Sequence, residues 1–210
     1  FALTTPPGQR VTIGSLNPGI TVTNGDVRFQ LLPEGRVSIE QAQFALGGGV
    51  LAMQPTTITL GADRTEFELT LRDVDAGDLI RTLNIPDLTA TGHVEGSFPL
   101  TLTRQSALIH GGVLRALPPG GVLSYTGNAG QEAVGPARLA FDALRQFRYD
   151  ALQLTLDGDL SGDVVSSIDF SGHNSGEAVD LGPIMSVPGI GHVTVRGVPF
   201  DFNIHLTAPF

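Results

Sequence analysis

Residues 197–210 read GVPFDFNIHLTAPF. Val198, Phe200, Phe202, Ile204, Leu206, Ala208 and Phe210 fall on one side of an extended chain. Asp201, Asn203, His205 and Thr207 fall on the other. Such period-two alternation marks a half-buried β-strand, because successive side chains leave a strand in opposite directions. The run has no Lys, and Pro199 and Pro209 stand at its ends, as at the edge of a sheet. This stretch predicts an antiparallel edge strand with one apolar face.

The same period recurs upstream. Residues 11–16, 20–23, 27–32, 36–46, 56–60 and 66–71 read as short strands. In TEFELTL (65–71), Phe67, Leu69 and Leu71 share a face opposite Glu66, Glu68 and Thr70. Gly and Pro number 27 and 14 and cluster between these runs, in NPG, PEGR, LGGGV and GADR. TNGD (23–26) reads as a hairpin, since Asn-Gly accommodates the positive φ of a tight turn. HGGVLRALPPGGVLSYTG (110–127) predicts strands over 108–116 and 121–126, joined at Pro118-Pro119-Gly120-Gly121 by a rigid reversal. A loose repeat joins residues 91–103, 157–172 and 191–207, each with two glycines before an alternating strand.

Two amphipathic helices interrupt the strands. DAGDLIRTLN offers Asp75 as N-cap, Asp78 in the first turn and Asn84 as the stop. GPARLAFDALRQFRY starts at Pro136 and lines up Leu139, Ala143, Leu144 and Phe147 as an apolar stripe. Each is short enough to cap one end of a sheet. No linker divides the chain, so residues 1–210 are expected to form one elongated, mostly β domain: a curved antiparallel sheet, groove- or taco-like, with two short helices. FALTTPP at the start has no initiator Met, basic region or apolar region, which reads as a piece of a longer chain.

Composition excludes several classes. The net charge is −9, all 12 basic residues are Arg, and none cluster among aromatics, so no nucleic-acid footprint exists. With no Cys, a disulfide framework, a thiol nucleophile and a Cys-ligated zinc are all out. His93, His110, His173, His192 and His205 lack metal-ligand spacing. SGHNSG holds Ser, His and Asn too close in sequence for a triad. DGDLSGD (157–163) imitates a calcium loop, but Ile168 stands where the bidentate Glu belongs, leaving a strand–turn–strand connection. No cofactor and no catalytic or metal residue is expected, and the chain reads as non-enzymatic.

LRDVDAGDLIRTLNIPDLTATGHVEGSFPLTLTRQSALIHGGVLRALPPGGVLSYTG (71–127) resembles a recurring block of the YdbH-like family, within the wider AsmA/TamB-like envelope proteins. The block runs from a short helix to a G-x-x-x-G-x-x-P-L strand, a G-G-x-L-x-A strand and a P-G-G-x-L-x-Y turn-strand. The resemblance continues through AFDALRQFRYDALQLTLDGDLSGDVVSSIDFSGHN and GVPFDFNIHLTAP and covers roughly residues 70–209, the first 70 matching in style. It implies the C-terminal region of a long protein in the periplasm of a Gram-negative bacterium, held in the inner membrane by an N-terminal helix that precedes this sequence. It further implies a bridge for intermembrane phospholipid transport and outer-membrane lipid homeostasis, in which a β-sheet offers an apolar groove to acyl chains. A small outer-membrane lipoprotein is the implied protein partner. Dicarboxylate transport, an older label for the family, finds no small-anion site in these residues.

Two uses of the alternating strands follow. A lipid groove would be lined by Val164, Ile168, Phe170, Val198, Phe200, Phe202, Ile204 and Leu206. A docking edge, which accepts a partner strand, would present Asp201, Asn203, His205 and Thr207. A one-residue slip exchanges the two faces.

Overall fold

The computed structural model describes residues 3–17, 20–128, 131, 134, 136–175, 179–180, 194–195, 197 and 199–209. The first half holds β1 (Gln9–Leu16), β2 (Val22–Leu32), β3 (Arg36–Leu46), β4 (Gly49–Met53), β5 (Thr56–Thr59) and β6 (Arg64–Asp75). Helix α1 (Ala76–Thr82) leads to β7 (Leu88–Ala90), β8 (His93–Thr103), β9 (Ala107–Ala116) and β10 (Gly121–Tyr125). Helix α2 (Pro136–Leu144) precedes β11 (Phe147–Asp159), β12 (Asp163–Asn174), β13 (Val179–Asp180), β14 (Thr194–Val195) and β15 (Pro199–Pro209). Thirteen strands form one open antiparallel sheet, and β13 and β14 pair separately.

Three rungs of the sheet are each built from two collinear segments. β4 and β5 share one edge of β3, at residues 42–46 and 36–39. β9 and β10 share one edge of β11, at residues 153–159 and 147–149. β7 faces β10 as β8 faces β9. With these segments joined, spatial order follows chain order from β1 to β15. The sheet is a meander, built wholly from neighbours in sequence.

This corrects the expected reversal at Pro118–Gly121. β10 continues in the direction of β9 along the same neighbour, so the segment is a step within one rung. The step carries the chain around Tyr149: a Cβ on Gly120 would stand 2.1 Å from the Tyr149 carbonyl oxygen, and one on Gly121 would stand 2.0 Å from that of Thr91. The Pro118–Pro119 peptide is cis. TNGD is likewise no hairpin. β2 runs through it, Asn24 takes a φ of 51°, and the partners jump from Thr23 to Asp26 as in a β-bulge. β4, which the sequence reading passes over as a glycine turn, fits because Gly49 lets the backbone of Arg72 and Asp73 approach; a Cβ there would meet both carbonyl oxygens at 2.4 Å.

Further bulges lie between Leu71 and Val74 on β6, where Asp73 has a φ of 53°, and between Tyr149 and Ala151 on β11. Another lies on β9 around Gly111, where the φ is 62°, and shifts the register against both β8 at Ser97/Leu100 and β11 at Leu156/Gly158. Each bends its strand and exchanges which alternate residues face which side.

The helices cover the end of the sheet where β6 stops and β11 starts. Asp75 caps α1, its Oδ1 accepting from the Asp78 N–H at 2.8 Å, and Asn84 closes the segment with a φ of 53°. Leu79 and Ala76 pack with Val74 and Val94. On α2, Ala143 is fully buried and Leu144 packs against Phe147. Phe147, expected on the helix stripe, is instead the first residue of β11. Two such helices cannot cover the sheet. The chain exposes 12441 Å², about a third more than a compact monomer of its mass.

Candidate functional site: an apolar sheet face

Strand pairing sorts the sheet into two unlike faces, because directly opposed residues point the same way. One file of partners runs Phe44, Leu51, Leu71, Gly96, Leu114, Leu154, Ile168 and Ile204, from β3 to β15 without a polar side chain. A second runs Met53, Leu69 and Phe98, then resumes past the bulge as Gly112, Leu156, Ser166 and Leu206. On the reverse face a corresponding file reads Glu95, Arg115, Gln153, Asp169 and Asn203. There Arg115 Nε donates to Gln153 Oε1 at 3.1 Å, and Asn203 Nδ2 donates to Asp169. One face is hydrocarbon, the other hydrogen-bonded and charged.

The apolar face is partly open. Val22, Leu46, Leu51, Leu71 and Leu114 are buried near α1, while Phe44, Leu69, Phe98 and Leu154 are half-buried. Away from the helices exposure rises: Leu102 is 41% exposed and Leu206 50%.

Among the expected groove residues, Val164, Ile168, Phe170, Phe200, Phe202, Ile204 and Leu206 all stand on this face; Val198 lies outside the described residues. Their environments differ. Val164 and Phe170 are buried, Ile168, Phe200, Phe202 and Ile204 half-buried, and Leu206 exposed. Phe170 and Phe202 stack with centroids 4.7 Å apart, and Phe147 meets both edge-on at 5.4 and 5.3 Å. These rings form a packed cluster beside α2, so they close one side of the face more than they line its open part. Asp201, Asn203, His205 and Thr207 are exposed on the reverse face, opposite Ser171, Asp169, Ser167 and Val165. Among the described residues β15 pairs with β12 alone, so one backbone edge carries no strand.

Sequence reasoning missed the central lining: Phe44, Leu51, Leu69, Phe98, Leu114, Leu154 and Leu156. Their alternation is visible within each strand, but no sequence signal gives the register that unites them.

The remaining polar groups are used structurally. Asp157 Oδ1 accepts from the Gly111 N–H at 2.6 Å and Asp159 Oδ1 from the Ser161 N–H at 2.8 Å, so DGDLSGD is the strand–turn–strand connection from β11 to β12. His93 pairs with Asp73 at 2.8 Å and His173 approaches Asp150 at 3.8 Å, all exposed. Among the described residues no three His, Asp or Glu side chains converge as metal ligands. Tyr149 donates its buried hydroxyl to the Thr91 carbonyl at 2.6 Å; burial, and secondarily Asp75, push its pKa above the ordinary tyrosine value. Asp26 is held below the usual carboxylate range by its hydrogen bond to Arg10 at 2.8 Å, an exposed pair.

The chain is thus an open antiparallel meander with a hydrocarbon face and a charged reverse. The YdbH-like family model, described as intermembrane phospholipid transport protein YdbH, matches residues 1–210, and the chain belongs to that family. It is a transport family and not an enzyme family. No curated protein and no solved structure matches the chain.

Proposed function

We propose that this chain is one segment of a periplasmic bridge along which phospholipids pass between membranes, and that the apolar face is the groove for their acyl chains. The observation that carries this reading is the unbroken file from Phe44 to Ile204, crossing eight rungs without a polar side chain. A compact ligand would call for convergent polar groups; an acyl chain calls for length and hydrocarbon. The headgroup stays in water at the rim.

The test is a pair of charge insertions at equally exposed residues on neighbouring strands. Leu206→Asp on β15 puts a carboxylate on the apolar face, whereas Val165→Asp on β12 puts one on the reverse. In the full-length protein the first should impair phospholipid delivery to the outer membrane and the second should not. Equal effects, or none from Leu206→Asp, would contradict the groove.

A second reading concerns β15 itself. Its singly paired backbone favours addition of a strand from a small outer-membrane lipoprotein, with Asp201, Asn203, His205 and Thr207 along the contact. Both roles are compatible, since strand addition uses the edge and acyl chains use the face. Proline substitution in the middle of β15, at Asn203, should abolish capture of the lipoprotein; unchanged capture would contradict docking at this edge.

A further inference from the structure

Three glycines on the apolar face each lie against an aromatic ring. A Cβ on Gly25 would stand 2.5 Å from Cε1 of Phe44. One on Gly96 would stand 2.7 Å from the Val113 carbonyl oxygen and 2.8 Å from Cε2 of Phe98, and one on Gly112 would stand 2.6 Å from Cδ1 of Ile109 and 2.9 Å from Cδ1 of Phe98. None of the three has a φ in the left-handed region. At Gly25 and Gly112 the three nearest atoms all belong to side chains, whereas at Gly96 the Val113 carbonyl also excludes a Cβ. Gly25 lies on β2 beside Phe44 of β3, and Phe98 of β8 reaches across Gly96 to Gly112 on β9. Each ring therefore lies down over the hollow left by missing side chains, the arrangement that offsets the weakness of glycine in a strand.

We infer that Gly25, Gly96 and Gly112 set the clearance of the acyl-chain path by letting Phe44 and Phe98 lie flush with its floor. This rests on the groove reading above. A phenyl ring standing on a sheet projects well beyond Leu or Val; laid over glycine it presents its face and leaves the lumen free. Phe98 sits where the second apolar file is interrupted by the register shift at Ser97/Leu100, so a raised ring there would obstruct both files. One methyl group at residue 112 turns aside the end of the Ile109 side chain and lifts the Phe98 ring, without adding charge or removing apolar surface.

The test places a photoreactive benzoyl-phenylalanine at Leu156, the partner of Gly112 on β11, in the full-length protein in cells with radiolabelled phospholipid. The parent protein should form a phospholipid adduct. Gly112→Ala should reduce it severalfold while protein abundance and protease resistance hold. Phe98→Leu in the same background should restore it, which a purely structural glycine would not allow. An unchanged adduct in Gly112→Ala, or no restoration, overturns the inference; absence of adduct in the parent overturns the groove itself. Should Gly112→Ala fail to accumulate, Gly25→Ala with and without Phe44→Leu, read at the half-buried Met53 of β4, decides in the same way. Failure of both to accumulate also overturns it, because the ring must rise without unfolding the sheet.

Discussion

Phe170 of β12 and Phe202 of β15 face each other in register and stack with 15° between their planes. Phe202 also meets Phe147 at 5.3 Å and Phe200 at 5.6 Å, so it ties the last strand to the aromatic cluster beside α2. Truncating it should loosen β15 first. Phe202→Ala should lower the unfolding free energy by about 2–4 kcal/mol. Leu206→Ala, on the same strand but half exposed, should cost under about 1 kcal/mol. Urea denaturation of both variants measures the contrast, and similar losses would show that the cluster does not anchor the strand.

Tyr149 links the first residue after β7 to β11 through the Thr91 carbonyl, and its hydroxyl must be neutral to donate. Removing that bond with Tyr149→Phe should cost about 1 kcal/mol at neutral pH. The sign of the pH effect follows from the raised folded-state pKa. The folded protein holds the proton more tightly than the unfolded chain, so the contribution is complete below about pH 10 and is lost as pH rises through the folded value. Stability measured from pH 8 upward should therefore fall more steeply in the parent than in Tyr149→Phe. Parallel curves would remove Tyr149 as the cause.

The step between β9 and β10 depends on Gly121, whose Cβ would meet the Thr91 oxygen at 2.0 Å and the Tyr149 hydroxyl at 2.7 Å. Gly121→Ala should destabilise the sheet by more than about 2 kcal/mol, since backbone cannot yield as a side chain can. Gly14→Ala is the control. Nothing lies within 4 Å of its Cβ, and the change should stay within about 0.5 kcal/mol. Thermal unfolding of the two variants separates a required glycine from a tolerated one.

Asp75 ends β6 and caps α1, joining the sheet to the helix that shields Val74 and Val94. Asp75→Ala should cost about 1 kcal/mol, and Asp75→Ser should recover most of it because serine also caps. Hydrogen exchange at Asp78, whose N–H the cap accepts, reports the loss directly. Exchange unchanged in Asp75→Ala would rule out the cap.

Much of this fold was legible where pattern and structure share one period. β3 occupies Arg36–Leu46 as alternation predicts, and α1 has the expected cap and stop. What escaped was set by partners and not by local sequence. A bulge changes the inward set from Leu69 and Leu71 to Val74, and from Phe147 and Tyr149 to Leu152, with no signature in either strand. Asn24-Gly25 carries the chemistry of a hairpin turn, yet β1 and β3 pair β2 on both sides and turn the same residues into a bulge. Gly49 read as a turn because glycine needed for close strand approach looks like glycine needed for reversal. Family likeness was clear from about residue 70 onward, and the family match extends through the first 70 as well.

The most direct test is a face-resolved cross-linking scan of the full-length protein in cells. Photoreactive residues at Leu69, Leu156, Ile168 and Leu206 sample the apolar face on four rungs, and Thr70, Thr155, Ser167 and Thr207 sample the reverse. An acyl-chain groove predicts phospholipid adducts at the first four positions and none at the second four. Adducts on both faces alike, or on neither, would contradict it.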